Sequence, residues 1–184
     1  CFYKNSDIII YYKVRAEITQ LSVAIVELLR SKGYTFATAE SCTGGAIASA
    51  ITLVAGCSDV MLGGVVAYHN RIKHEILGVA DEKLCRYGAV SEPVVREMVA
   101  GVSARFGADC AVATSGIAGP GGGTPEKPVG TVWVAVKVAD RVVTRLLQLQ
   151  DGGRETNIEN TVYEVLKMVM ELIDGRGTMS DERF

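Results

Sequence analysis

A short β-forming run, Thr35 to Ala39, is joined to a small-residue helical run, Ala46 to Val54, by Glu40-Ser41-Cys42-Thr43-Gly44-Gly45. An apolar strand that feeds a helix through serine, threonine and paired glycines describes the strand-to-helix turn of an α/β fold, with Ser41 at the turn. Backbone N–H groups at the start of a helix lack intrahelical acceptors, and glycine lets a ligand come close, so such a turn can seat an anion or an oxyanion. The amides around Thr43, Gly44 and Gly45 would form that seat. Ser41 has two readings at this level: a nucleophile held beside those donors, or, like Thr43, a simple cap on the helix.

The rest of the chain alternates in the same way. Ile18, Leu21, Ile25, Leu28 and Leu29 recur at helical spacing between Val14 and Arg30, and Gly33 stops that helix, while residues 1–13 read as an arm or an edge strand. Val60 to Ala67 reads as a second buried strand ending at Tyr68, after which Asn70 can cap a short helix carrying Lys73, Ile76 and Leu77 up to Gly78. A helical turn is expected from Asp81 to Tyr87, then a helix capped by Ser91 with Pro93 in its first turn and a buried stripe from Val94 to Phe106. Asp109 to Ser115 is a third β run, and it empties into the glycine-rich loop Gly116 to Pro125. Thr131 to Val138 and Val142 to Gln150, joined through Asp140-Arg141, form a β-hairpin. A long helix with Ile158, Val162, Val165, Val169 and Leu172 on one face ends near Gly175, and residues 176–184 are expected to fray. Helices alternating with buried strands and closing on a hairpin predict a three-layer α/β/α sandwich with a mixed sheet, built as one domain over residues 14–175.

In open α/β sheets ligands bind outside the carboxyl ends of strands, which draws Ser41 and the Tyr68/Lys73 pair toward one crevice, with the glycine loop following another strand. Lys73 alone reads equally as a solvated helix lysine, and Arg154 as a surface residue or an anion contact, although a cation in a helix's first turn opposes the dipole. The loop lacks the G-x-x-x-x-G-K-[ST] pattern of a Walker P-loop. A net charge of −2 without a basic block argues against nucleic acid as a partner. No apolar run approaches the roughly 18 residues of a membrane span. The five cysteines, odd in number and without a C-x-x-C pair, fit reduced thiols in a cytoplasm. His69 and His74 are the only histidines and make no zinc pattern, so neither a metal nor a cofactor is expected.

Several longer motifs, in order, resemble one family. Thr38-Ala39-Glu40-Ser41-Cys42-Thr43-Gly44-Gly45, Gly63-Gly64-Val65-Val66-Ala67-Tyr68 with Asn70 and Lys73, Gly88-Ala89-Val90-Ser91-Glu92, Gly116-Ile117-Ala118-Gly119-Pro120 and Lys127-Pro128-Val129-Gly130-Thr131-Val132 are similar to the C-terminal domain of the competence/damage-inducible protein CinA. That domain also occurs alone as nicotinamide mononucleotide (NMN) deamidase, and the likeness runs from about Val14 to Ile173. The resemblance implies hydrolysis of the NMN carboxamide to nicotinic acid mononucleotide and ammonia in pyridine-nucleotide recycling, without metal or cofactor. It further implies Ser41 as nucleophile, Lys73 as general base and Tyr68 as an assisting residue. Substrate contacts are expected from Thr43, Gly44, Gly45, Gly116, Ala118, Gly119 and Arg154, and the expected assembly is a homo-oligomer of unspecified order. Three positions depart from the pattern: His69 stands where serine is usual, Cys57 interrupts a turn, and Gly153 replaces an acidic residue before Arg154.

The chemistry is coherent on its own terms. Amide hydrolysis needs a nucleophile, a proton carrier and oxyanion donors, and a serine–lysine pair supplies the first two where no Ser-His-Asp arrangement exists. Two other readings compete: a non-catalytic nucleotide- or partner-binding module, which would have no need of Ser41, Tyr68 and Lys73 together, and a thiol amidase using Cys42, for which no Cys–His–Asn set is visible.

Overall fold

The turn at Ser41 follows a strand that has neighbours on both sides. In the computed structural model, which describes residues 5–175, strands β1 (Phe36–Glu40), β2 (Met61–Val66), β3 (Cys110–Gly116), β4 (Thr131–Val138) and β5 (Arg141–Gln148) form one sheet in the order β2-β1-β3-β4-β5. The first three are parallel, and β4 and β5 close the sheet as an antiparallel hairpin. Helices α1 (Asn5–Lys32), α2 (Ala46–Thr52) and α6 (Arg154–Ile173) pack on one face; α3 (Asn70–Leu77), α4 (Asp81–Tyr87) and α5 (Glu92–Phe106) pack on the other. This is the three-layer sandwich with a mixed sheet that the alternation predicts.

Period-two alternation divides the sheet between its two cores. Phe36, Cys110, Val112, Val134 and Val136 point toward α1, α2 and α6, whereas Ala37, Ala39, Ala111, Ala113 and Ala135 point toward α5. The alanines lower the second face and let α5 lie close to the strands. Two glycines carry that economy further. A Cβ on Gly64 of β2 would fall 2.2 Å from Thr38 Oγ1 of β1, and one on Gly101 of α5 would fall 1.9 Å from the Leu77 carbonyl oxygen at the end of α3. The second contact seats the helix that carries Lys73.

The strand register aligns the carboxyl ends that matter. Glu40, the last residue of β1, stands opposite Val66 of β2 and Thr114 of β3. Beyond it the ladder continues, with Ser41 N–H donating to Thr114 O at 3.0 Å and Ala67 N–H donating to Glu40 O at 2.8 Å. Ser41, Ala67 and Ser115 therefore stand side by side at this end of the sheet.

The structure departs from the expected elements in four places, the first being β2, read above as buried but standing at the sheet edge with alternately half-buried and exposed residues. Residues 5–13, read above as an arm or strand, belong to α1; a short apolar run such as Ile8-Ile9-Ile10 fits either structure, and periodicity cannot separate them. The cap of α3 is His69, not Asn70: its Nδ1 accepts the Arg71 N–H at 3.1 Å. Ser91 occupies the N-cap of α5, but its hydroxyl donates back to Gly88 O at 2.8 Å and caps nothing. The tail expected to fray at 176–184 lies outside the described residues.

Gly101→Ala tests how tightly α3 is held. The added methyl meets a backbone carbonyl that cannot rotate away, so the variant should lose about 3 kcal/mol of stability, a fall in Tm of roughly 6–12 °C by calorimetry. An unchanged Tm would mean that α3 and α5 are free to separate.

Candidate active site

The three aligned strand ends open into a cleft of about 220 Å³. Ser41 and Cys42 come from the end of β1, Tyr68, Asn70 and Lys73 from the segment after β2, Ser115, Gly116 and Ala118 from the end of β3, and Arg154 from α6; Ala89 and Val90 close one side. A larger groove of about 660 Å³ lies between α1, α2 and α6, away from Ser41. Thr19, Ser22 and Ser49 line it, but among the described lining residues there is no lysine or histidine to activate their hydroxyls.

Lys73 is only 1 % exposed, on a helix whose opposite face is wet. Its Nζ lies 3.0 Å from Ser41 Oγ, 2.7 Å from Ala67 O and 3.3 Å from Tyr68 O. Burial away from water disfavours the ammonium and pushes the Lys73 pKa down from its ordinary value, with the neighbouring Cys42 opposing the shift. A neutral amine has two hydrogens and one lone pair. The two carbonyls can take the hydrogens, and the lone pair then faces the serine hydroxyl.

Cys42 adjoins Ser41 but has the opposite character. Only 6 % exposed, its thiol is pushed up to about 12, chiefly by burial and further by the charge of Glu40, while the Thr114 hydroxyl, its own amide and Lys73 pull the other way. A thiol so hard to ionise is a poor nucleophile at neutral pH.

Tyr68 points elsewhere than the dyad. Its side chain is 60 % exposed, its hydroxyl accepts from Arg154 Nη2 at 2.9 Å, and it meets Lys73 through its main-chain carbonyl. Arg154 also donates from Nη1 to Gly119 O at 2.8 Å, so it bridges the β2 and β3 ends of the cleft. Beside it Asn157, fully buried, donates to Ala118 O at 3.0 Å.

At the α2 start, the expected donors have other employment. Gly44 N–H donates to Ser41 O at 3.1 Å, Gly45 N–H to Glu40 Oε2 at 3.0 Å and Ala46 N–H to Thr43 O at 3.1 Å. The Thr43 hydroxyl is paired with Thr114 Oγ1 at 2.8 Å. Gly44 and Gly45 thus stand behind the cleft wall rather than on it, and the Thr43 side chain is turned to β3. Neither Ser41 nor Thr43 caps α2; Glu40 does, through three amides. Among the described residues, the amides of Cys42 and Thr43 have no acceptor on another residue.

Of the residues singled out in the sequence, the fold brings Ser41, Tyr68, Lys73, Gly116, Ala118 and Arg154 to one cleft, with Gly119 held at its rim by Arg154. It adds Asn70, Ala89, Val90 and Ser115, of which Asn70 and Ala89-Val90 lie within motifs quoted above. Among the described residues no three His, Cys, Asp or Glu side chains gather as a metal site, and no helix is long and apolar enough to cross a membrane.

The sequence comparison decides the family: the family model described as CinA C-terminal domain matches residues 18–173. The chain belongs to the CinA C-terminal domain family. It is 48 % identical over 155 residues to the nicotinamide-nucleotide amidohydrolase PncC of Enterobacter agglomerans, covering 84 % of this chain and 94 % of that protein. A CinA-like protein of Cytophaga hutchinsonii is 50 % identical over 149 residues, but these make up 81 % of this chain and only 35 % of that one. The chain spans about a third of the length of such CinA-like relatives. Among solved structures, a competence/damage inducible protein CihA from Agrobacterium tumefaciens superposes with a TM-score of 0.83 at 42 % identity, over 85 % of this chain and 95 % of that one. A CinA superfamily protein from Escherichia coli gives 0.81 at 35 % identity, over 84 % and 90 %.

The two cysteine environments in this CinA domain should be chemically distinct. With iodoacetamide on the native protein, exposed Cys85 should be alkylated while Cys42 and Cys110 stay unmodified until the protein is denatured, as read by peptide mass mapping. Alkylation of native Cys42 as fast as Cys85 would contradict the burial described.

Proposed function

We propose that this domain is an amidohydrolase that converts NMN to nicotinic acid mononucleotide and ammonia through a Ser41–Lys73 dyad, and that it serves pyridine-nucleotide recycling in the cytoplasm. The observation that carries the reading is the 3.0 Å contact between Ser41 Oγ and a lysine amine whose pKa is lowered by burial. The curated relative that is 48 % identical over 84 % of the chain supports the substrate class.

The steps follow from the geometry. Neutral Lys73 takes the hydroxyl proton as Ser41 Oγ attacks the carboxamide carbon, and the amides of Cys42 and Thr43 are the donors open to the oxyanion. Lys73 returns the proton to the departing nitrogen, ammonia leaves, and an ester to Ser41 remains. Water, deprotonated by Lys73, then releases the carboxylate and restores the serine.

The cleft's charges suit an anionic substrate. With Lys73 neutral, Arg154 is the cation that lines it, and among the described residues no carboxylate does. With the Gly44 and Gly45 amides spent inside the turn, we assign the 5′-phosphate of NMN to Arg154 and the loop that follows β3. Arg154 would exchange its bonds to Tyr68 and Gly119 for the stronger charge-assisted bonds to phosphate. Tyr68, released by that exchange, would flank the bound nucleotide. A non-catalytic nucleotide-binding module would have no use for a dehydrated lysine at a serine.

Ser41→Ala should abolish ammonia release from NMN, whereas Cys42→Ala should keep most of it. Lys73→Arg should cost about 10²–10⁴-fold in kcat, because a guanidinium cannot give up its proton. The pH profile has a fixed sign. Activity requires neutral Lys73, so kcat/KM should fall as pH drops through its lowered pKa, on a limb whose midpoint lies below the ordinary lysine value of 10.5. An activity limb centred at or above that value would remove Lys73 as the base.

Substrate recognition has its own test. Nicotinamide riboside, which lacks the phosphate, should be much the poorer substrate, and Arg154→Ala should lower kcat/KM for NMN markedly and for the riboside hardly at all. Equal losses for both would assign Arg154 to the pyridine end or to holding the cleft together.

A further inference from the structure

Glu40 is the residue immediately before the nucleophile, and its side chain is 0 % exposed. A carboxylate sealed from water needs a cation or several donors to stay in place. Among the described residues no lysine or arginine forms an ion pair with it. Instead Oε2 accepts the N–H groups of Gly45 at 3.0 Å and Ile47 at 3.1 Å, and Oε1 accepts that of Ala48 at 2.8 Å. Together with the bonds inside the turn, this gives every amide from residue 44 to residue 48 an acceptor, and those of Cys42 and Thr43 none on another residue.

That division is what an acyl-transfer site requires. The donors of a strand-to-helix turn compete for whatever acceptor is nearest, and a turn whose helix start is unsatisfied can relax toward water or toward its own carbonyls. We propose that Glu40 is a positioning residue for the hydrolysis: by binding the amides of Gly45, Ile47 and Ala48 it locks the far side of the turn, which holds Ser41 Oγ against Lys73 and reserves the Cys42 and Thr43 amides for the oxyanion. It touches neither substrate nor reacting atoms. The inference rests on Ser41 as the nucleophile.

The test compares wild type with Glu40→Gln and Ala48→Pro. Glutamine keeps the size but turns an NH2 group toward amide donors, so one side of the anchor is lost. Proline removes one donor in the first helical turn, where it is tolerated, and leaves the carboxylate in place. Three quantities are read well below each variant's Tm: kcat and KM for ammonia release from NMN, the rate at which a fluorophosphonate labels Ser41 by mass spectrometry, and Tm itself. For Glu40→Gln the expected result is a kcat lower by about ten- to hundredfold, KM within about twofold, and Ser41 labelling slowed by a similar factor. A folded Glu40→Gln with lowered Tm but kcat and labelling close to wild type would overturn the proposal, because Glu40 would then serve the fold alone. Should Glu40→Gln fail to fold, Ala48→Pro decides: lower kcat at unchanged KM supports positioning, and unchanged kcat overturns it. Should wild type release no ammonia from NMN, the substrate assignment fails, but the labelling rates still decide: slower labelling in the variants supports the role of Glu40, and equal labelling refutes it.

Discussion

An amine shut away from water is unstable as a cation, and much of this fold serves to keep Lys73 in that condition. Among the described residues its Nζ is hydrogen-bonded to the Ser41 hydroxyl and two main-chain carbonyls, none of which carries a full negative charge. A carboxylate in their place would restore the ammonium and end its use as a base. The helix carrying Lys73 must therefore sit close against α5, which the bare backbone of Gly101 allows, and β2 must run close to β1, which the bare backbone of Gly64 allows. The alanine-lined face of the sheet belongs to the same demand, since larger residues there would lift α5 and α3 away together.

The two buried charges near the nucleophile are handled differently. Glu40 is held by backbone amides, while Lys73 is bonded to uncharged groups and sheds its proton more readily than an ordinary lysine. Cys42 lies between them and feels both: the carboxylate raises its pKa and the lysine lowers it, yet loss of water outweighs either. In the proposed mechanism serine rather than cysteine is the reactive group, since a hydroxyl needs a base only in the transition state, whereas a thiol works best once already ionised.

Much of this was legible in the chain because it depends on local rules. The Thr35 to Ala39 run followed by Ser41 and two glycines specifies a strand-to-helix turn, and the principle that ligands gather at the carboxyl ends of parallel strands brings Ser41 and Lys73 together before any contact is seen. What escaped has physical reasons. Glu40 caps α2 from the preceding strand, five to eight residues ahead of its donors, and no capping pattern places an acceptor there. His69 is outside the usual set of cap residues, so Asn70 next to it drew the assignment. The bond from Arg154 to Tyr68 spans 86 residues, and its partners are chosen by the packing of α6 rather than by any neighbour in sequence. The start of α1 is hidden by isoleucines and tyrosines, whose preference for strands is overridden by the helix they extend.

The order in which the chain supplies the cleft has a bearing on how such domains diverge. The proposed nucleophile and base are 32 residues apart, on consecutive β–α units between Phe36 and Leu77. The opposite wall, Ser115 to Gly119 and Arg154, arrives from the later half of the chain and contributes no proton transfer. Reactivity and recognition are thus inherited on separate stretches. Under the proposed mechanism, substitutions in the later segments would change which amide is bound while leaving the Ser41–Lys73 contact in place.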